Sequence, residues 1–239
     1  MRFPRFRLLV LLAALSLLGA CSFRPTTTLY RLDGGDPAIP ERNGMAVLLG
    51  PVTLADYLRQ DTLLVQRHED GSLSTARNAR WAGDLKADID QLLLRQLAWR
   101  LDSHRLVPEP GAPGFKPDVQ VQLNITRLDS GPKQPAVLEA QWRLLDRQGR
   151  LRESRLIRLE ESHQNSSADQ VRAQSLVLQR LAEQLAAAIR PLAKQQASAP
   201  APEPRKTARA VAPKVEKKPP QVPDIPIVSP TRDVEVFRF

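Results

Sequence analysis

Hydrophobic and polar residues alternate with a period of two through the middle of the chain. The clearest run covers residues 118–128, where four aliphatic side chains alternate with Gln, Asn and Thr: Val119, Val121, Leu123 and Ile125. Residues 137–145 repeat the alternation, and residues 151–159 follow after an Asp-Arg-Gln-Gly turn. A regular period of two places one face of a strand on a core and the other in solvent. We therefore predict three antiparallel strands that form a meander.

Shorter strand-like stretches precede this region. Residues 28–32 and 46–52 are rich in apolar and β-branched side chains and are bounded by Gly and Pro. Residues 63–67 and 72–76 flank an Asp-Gly dipeptide, which is typical of hairpin turns. The sequence thus predicts two further strands followed by a β-hairpin.

Two segments have the period of amphipathic helices. In residues 81–101, six aliphatic side chains fall on one stripe: Leu85, Ile89, Leu92, Leu93, Leu97 and Leu101. The second segment starts at Ser166 or Ser167, because each has the spacing of a capping box, and it is predicted to end at Pro191. Runs of strands followed by single helices favour an α+β fold, a mostly antiparallel sheet with two long helices packed on one face. We assign this domain to residues 28–193.

The N-terminal residues have the layout of an export signal. Three arginines precede an apolar run over residues 8–18, which is shorter than the ~20 residues needed to span a membrane. The run ends in Leu-Leu-Gly-Ala before Cys21, a pattern that resembles the lipobox of bacterial lipoproteins. The resemblance implies a signal peptide at residues 1–20, a diacylglycerol on the Cys21 thiol, an acyl chain on the new amino terminus, and a lipid tether at residues 21–27. An ordinary signal peptide that happens to end near a cysteine is the alternative.

The composition changes at Lys194, since nine of the 21 prolines lie between residues 200 and 230. Such a segment buries too little apolar surface to offset the entropy of ordering, so residues 194–239 are predicted to be disordered. The last six residues are apolar again, and Phe237 and Phe239 are candidate contacts with a protein partner through strand addition. Attraction of the tail lysines to anionic polymers or lipid head groups, and an inert spacer, are the other interpretations.

The net charge of +9 does not indicate a nucleic-acid-binding domain. Residues 194–239 contain nine basic and five acidic side chains, whereas residues 21–193 contain 23 basic and 21 acidic ones. A basic patch for nucleic acid would need its charge clustered on the folded domain. We therefore predict no nucleic-acid partner.

No pattern of catalytic or metal-ligating residues is recognisable in the sequence. Cys21 is the only cysteine, and the three histidines lack the spacing of metal ligands. Neither a Gly-x-Ser-x-Gly motif nor a phosphate-binding glycine loop is present. We predict a non-enzymatic protein without a cofactor or metal, apart from the covalent lipid on Cys21.

Three motifs downstream of the lipobox occur in an order that is similar to a known family. They are Tyr-Arg-Leu at residues 30–32, Gly-Pro-Val at residues 50–52 followed by Tyr57-Leu58-Arg59, and Arg80-Trp81-Ala82 before the Leu-rich helix. Over residues 21–192 the chain resembles the PqiC-type lipoproteins, the ABC-type transport auxiliary components of MCE-type transport systems. The resemblance implies an α+β lipoprotein anchored in the inner leaflet of the outer membrane and facing the periplasm. Its implied partner is an MCE tunnel protein that carries lipids or other apolar molecules between membranes.

Tyr57, Arg59 and Trp81 are the candidate partner-binding residues of the domain. Tyr57 and Arg59 lie in a connection where burial is not required, while Trp81 either packs at the start of the helix or contacts a partner. The leading hypothesis is a lipid-anchored docking subunit of an envelope transport system. The rival is a structural lipoprotein that binds the cell wall or an envelope partner through its basic C-terminal tail. The sequence leaves the transported molecule, the docking face and a homo-oligomer open.

Overall fold

The computed structural model of the chain describes residues 26–60 and 63–198, with side chains described as far as residue 192. The strands are β1 (Thr28–Tyr30), β2 (Val47–Leu54), β3 (Leu63–Arg67), β4 (Leu73–Trp81), β5 (Leu106–Pro108), β6 (Val119–Gly131), β7 (Gln134–Asp146) and β8 (Leu151–Glu161). The helices are α1 (Asp56–Arg59), α2 (Leu85–Leu101) and α3 (Ser167–Ser198). Cys21, Phe237 and Phe239 lie outside the described residues, as do the signal peptide and the tail from residue 199.

The predicted meander is confirmed and forms the longest part of an eight-stranded sheet. β7 pairs antiparallel with β6 on one side and with β8 on the other. The apolar positions of the alternation are buried: Val119, Val121, Leu123, Ile125, Leu138, Ala140, Trp142 and Leu144. The Gln, Asn and Thr residues between those of β6 are half-buried or exposed. The period of two therefore reports the two faces of the sheet, as expected.

The other strands extend the sheet along the second edge of β6. β2 runs parallel to the first half of β6, and β5 runs parallel to β2. The predicted hairpin is confirmed, because β3 and β4 pair antiparallel, and β3 meets the end of β6 at a Gln66–Ser130 bridge. β1 lies parallel to the end of β4, with Tyr30 beside Trp81. The antiparallel pairings of β7 are the longest in this mostly antiparallel sheet.

The two long helices begin at side-chain caps that the sequence encodes. The Asp84 carboxylate accepts a hydrogen bond from the Ala87 N–H at 2.8 Å at the start of α2. The Ser166 hydroxyl accepts one from the Asp169 N–H at 3.1 Å at the start of α3, which confirms the first of the two predicted capping boxes. The helices bury their aliphatic stripes in one core with the sheet: Leu85, Ile89, Leu92, Leu93 and Leu97 from α2, and Val171, Leu178, Leu181, Leu185 and Ile189 from α3.

Two predicted helix boundaries are wrong. Trp81 is the last residue of β4 and not the first of a helix, because Asp84 caps α2 and sets its start at Leu85. α3 does not end at Pro191 but continues to Ser198, so residues 194–198 are helical and not disordered as predicted. The residues around this proline are mostly Ala, Leu, Lys and Gln, which are good helix formers, and the proline-rich composition starts only at Pro200.

Two short elements were not predicted. α1 forms in the connection that contains Tyr57, and β5 forms between α2 and β6. Both are three or four residues long, which is too short for a periodic pattern to identify. Within the described parts of the chain, no helix is long and apolar enough to cross a membrane.

Candidate functional site

Asp129 is a buried carboxylate that joins three elements of the fold. Its side chain is fully buried and accepts paired hydrogen bonds from Arg67 of β3, Nε to Oδ1 at 2.9 Å and Nη2 to Oδ2 at 2.8 Å. Arg127 Nε donates to Oδ1 at 3.0 Å, and the Tyr57 hydroxyl donates to Oδ2 at 2.9 Å. We call these four residues the Asp129 cluster. It fastens α1 and the β3–β4 hairpin to the end of β6.

The backbone at the end of β6 is shaped to bring this cluster together. The β6–β7 register shifts between Asp129 and Gly131. A Cβ at Gly131 would lie 1.9 Å from the Arg67 carbonyl oxygen, so only glycine allows β3 to approach β6 this closely. The close approach places the Arg67 guanidinium against the Asp129 carboxylate.

The Asp129 carboxylate stays ionised because its hydrogen bonds outweigh its burial. Burial by itself raises the pKa of a carboxyl group, but the hydrogen bonds from Arg67, Tyr57 and Arg127 leave the pKa of Asp129 below its ordinary value. Burial is also the main cause that raises the pKa of Tyr57. The cluster is therefore a fixed set of charges at neutral pH, with two guanidinium groups around one carboxylate.

Tyr57, which the sequence presents as a partner contact, has its hydroxyl turned into the domain. Besides donating to Asp129, this oxygen accepts a hydrogen bond from the Leu128 N–H at 3.1 Å. The ring itself is half-buried. Its described contacts therefore give Tyr57 a structural role in holding α1 against β6.

A Tyr57→Phe substitution is expected to lower the free energy of unfolding by about 1–3 kcal/mol. The phenylalanine keeps the ring but leaves the Leu128 N–H and one Asp129 oxygen without this partner. Urea unfolding of the full-length chain measures the loss. Tyr30→Phe is the matched control, because Tyr30 is half-buried and its hydroxyl has no hydrogen bond among the described residues. Equal stability of both variants would contradict the structural role.

Arg59 lies at the rim of an open groove with an apolar floor. The groove has a volume of ≈ 530 Å³ and is lined by Leu54, Leu58, Arg59, Gly83, Asp84, Leu85 and Lys86. The Arg59 side chain is 63 % exposed and pairs with Asp56 of the same helix. Lys86 is also partly exposed and pairs with Asp90 at 2.8 Å. Two cationic side chains therefore stand at the rim of a groove whose floor is formed by the largely buried Leu54, Leu58 and Leu85.

Trp81 is buried beneath this groove, with 5 % of its surface exposed. Together with Tyr57 it lines a small internal cavity of ≈ 10 Å³, which has room for about one water molecule. Leu58 and Leu85 line both this cavity and the groove. The structure thus brings Tyr57, Arg59 and Trp81 into one region, in which Arg59 is the accessible member and Trp81 supports the floor.

Sequence reasoning missed Asp129, Arg67 and Arg127. The apolar alternation of β6 ends at a charged residue, Asp129. This interruption is the one local sign in the sequence that position 129 differs from the rest of the strand. Its partners Arg67 and Tyr57 are 62 and 72 residues away along the chain. A single sequence contains no pattern that links residues at such distances.

The histidines and acidic residues form no recognisable reactive group in the described part of the chain. No group of three or more His, Cys, Asp or Glu side chains there is arranged to hold a metal ion. His68 contacts the Ser74 hydroxyl at 2.7 Å within the hairpin, and His163 Nε2 contacts the Gln134 carbonyl oxygen at 2.8 Å. Both histidines thus make hydrogen-bond contacts within a hairpin or at the end of a strand.

Comparison with known proteins identifies a family over most of the domain. The family model of the ABC-type transport auxiliary lipoprotein component matches residues 30–186. No curated protein matches the sequence. The matched range includes every strand after β1 and most of α3.

Solved structures share the fold at low sequence identity. A crystal structure of an uncharacterized protein is 20 % identical with a TM-score of 0.56, and the match covers 69 % of this chain and 99 % of that one. A Xanthomonas campestris protein of the DUF330 family is 16 % identical with a TM-score of 0.55, covering 73 % of this chain and 97 % of that one. A PelC dodecamer from Paraburkholderia phytofirmans reaches a TM-score of only 0.37 at 14 % identity, over 66 % of this chain and 95 % of that one. The first two comparisons establish a common fold.

Proposed function

The chain belongs to the family of ABC-type transport auxiliary lipoproteins, and from this premise we propose that it is a docking subunit of an MCE-type transport system. Acyl chains on Cys21 hold the domain at the inner leaflet of the outer membrane, and its exposed surface engages the tunnel protein in the periplasm. The observation that carries the proposal is the coincidence of a lipobox with the family match: the match begins nine residues after Cys21 and spans the folded domain.

The anchor in this proposal follows from the chemistry of the N-terminus. The Cys21 thiol would carry a diacylglycerol, and cleavage before Cys21 would expose an amino group that takes a further acyl chain. Several chains are needed for stable anchoring, because one chain of myristoyl size binds a membrane only marginally. The proposal therefore assigns the membrane attachment of the domain to Cys21.

The groove beside Arg59 is the docking surface that we propose for the tunnel protein. A groove with an apolar floor and a cationic rim suits a protein surface that combines a protruding apolar side chain with acidic residues. Arg59 can leave Asp56 at little cost, since exposed ion pairs contribute about 0–1 kcal/mol. The Asp129 cluster supports this surface by fixing α1, which carries Arg59. Trp81 contributes from behind the groove, where it lines the same small cavity as Leu58 and Leu85, and not through direct contact.

An Arg59→Glu substitution is expected to weaken co-purification of the tunnel protein by about tenfold or more, because arginine is prominent among residues that dominate interface energies. The fold should be unaffected, since Arg59 is exposed. Arg172→Glu is the matched control, because Arg172 has a 72 % exposed side chain and a weak pair with Asp169 on α3. Equal recovery of the tunnel protein with both variants would show that this groove is not the docking surface.

Truncation of the tail separates the proposed function from its rival. A chain that ends at Ser198 keeps all of α3 and lacks the basic tail. If the chain is a docking subunit, this variant still recovers the tunnel protein from envelope extracts. If it is a structural lipoprotein, the full-length chain sediments with purified cell wall and the truncated chain does not. The truncation also removes Phe237 and Phe239, so a partner that is lost with it is assigned to the terminal segment.

A further inference from the structure

We infer that the edge formed by β1 and β4 lies on the membrane and binds the phosphate groups of anionic phospholipids through Arg77 and Arg80. This inference rests on the proposed attachment of lipid to Cys21. It assigns an orientation to the domain and a lipid contact to two side chains for which no other role is evident.

Arg77 and Arg80 are exposed on β4 and have no acidic partner among the described residues. Most other exposed arginines of the domain do have one. Arg31, just after β1, pairs with Asp88 at 2.7 Å, and Arg150 pairs with Asp146 at 2.9 Å. Both guanidinium groups lie on β4 without a compensating carboxylate in the described part of the chain, which gives this edge of the sheet a local excess of positive charge. An anionic surface is the ligand that would neutralise it.

Exposed aliphatic side chains accompany the two arginines. Leu29 is 62 % exposed and lies beside Arg80 in the parallel pairing of β1 with β4. Leu73, at the start of β4, is 41 % exposed. A cation next to exposed apolar surface matches the head-group region of a bilayer, where phosphates lie beside the ends of acyl chains. The combination favours a lipid surface over a soluble anion.

The position of the lipid attachment brings this edge near the bilayer. β1 is the outermost strand of the sheet, and Cys21 precedes Thr28 by seven residues. Seven residues span at most about 25 Å even when fully extended. The lipid must therefore lie within this distance of β1. Several exposed arginines have no acidic partner among the described residues. Of these, Arg77 and Arg80 lie on β4, the strand that pairs with β1.

Vesicle binding by the mature-length Cys21→Ser chain, residues 21–239, tests the inference without help from the signal peptide or the acyl chains. The chain should bind vesicles of phosphatidylcholine and phosphatidylglycerol more strongly than vesicles of phosphatidylcholine alone. Arg77→Gln/Arg80→Gln should weaken binding to the mixed vesicles by about 30-fold, since each arginine near an anionic surface contributes about fivefold. Arg77→Lys/Arg80→Lys should restore most of the binding.

Arg105→Gln/Arg143→Gln is the matched control, because both arginines are exposed and neither has an acidic partner among the described residues. Both lie away from β1, one just before β5 and the other on β7. The control removes the same net charge and leaves the basic tail in place. Equal losses in the two double variants, no loss in either, or no preference for anionic vesicles would overturn the inference. Mass analysis of Cys21 in the wild-type chain reports separately whether the proposed anchor exists.

Discussion

Replacing Asp129 by alanine is expected to lower the free energy of unfolding by about 3–5 kcal/mol, because it leaves partly buried guanidinium groups without their carboxylate. The side chains of Arg67 and Arg127 are only 22 % and 20 % exposed, so water cannot fully replace Asp129. Urea unfolding followed by tryptophan fluorescence measures the loss, since Trp81 and Trp142 are buried. Asp36→Ala, at an exposed position without a described partner, should change stability by less than about 0.5 kcal/mol.

The Asp129 cluster also makes the free energy of unfolding depend on pH. The pKa of Asp129 is below its ordinary value in the folded chain, so its contribution to stability is complete above about pH 4. The contribution is lost as pH falls through the folded pKa. Asp129→Asn should therefore show a weaker loss of stability between neutral and acidic pH than the wild-type chain. A slope as steep as that of the wild type would show that Asp129 does not contribute.

Asp146 adds to the acid dependence of the wild-type chain. Burial opposes its ionisation, but hydrogen bonds from the Arg150 and Gln148 N–H groups and the Arg150 guanidinium lower its pKa to about 2. Its contribution is likewise present above about pH 4 and lost as pH approaches 2. Because Asp146 closes the β7–β8 turn and lies far along the sheet from Asp129, the two contributions should be nearly additive.

Replacing Cys21 by serine is expected to remove the protein from the outer-membrane fraction. Acyl chains contribute about 0.8 kcal/mol per buried methylene group, so their loss lowers membrane partition by several orders of magnitude. The basic tail and the β1–β4 edge remain, but surface charges give a weaker attraction that salt removes. Fractionation in high salt and incorporation of labelled palmitate measure the effect.

Ser22→Ala is the control for this substitution, since it changes the adjacent residue and keeps the thiol. This variant should remain in the membrane fraction and incorporate palmitate. If the Cys21→Ser chain still fractionates with the outer membrane in high salt, or still carries palmitate, the lipidation of Cys21 is contradicted. Separation of the two membranes on a density gradient then reports which one holds the wild-type chain.

Much of the fold could be predicted because its main elements have strict local periods. The alternation in β6 and β7 identifies both strands and their buried faces, including the burial of Trp142. The start of α2 was misplaced because Trp81, Leu85 and Ile89 are four residues apart and continue the helical stripe backwards. Asp84 is a strong helix cap, and it overrides that stripe.

The candidate site could be predicted only in part. Tyr57, Arg59 and Trp81 were identified from short motifs, and the structure places them in one region, but their different roles depend on burial. Trp81 is buried and Arg59 is exposed, which follows from the packing of α1 against α2 and β6 and not from residue type. The Asp129 cluster depends on pairing between strands that are distant in sequence. Contacts of this kind become visible only when the sheet is assembled.

The most direct test of the docking proposal is covalent capture of the partner in cells. A photoreactive amino acid in place of Arg59, in the full-length lipidated chain, should form an adduct with an MCE-domain protein, identified by mass spectrometry of the cross-linked band. The same amino acid in place of Arg172 should not. An adduct with an MCE-domain protein at position 59 alone is the result that we predict. Its absence at position 59, while the chain remains lipidated and in the membrane fraction, would contradict the account.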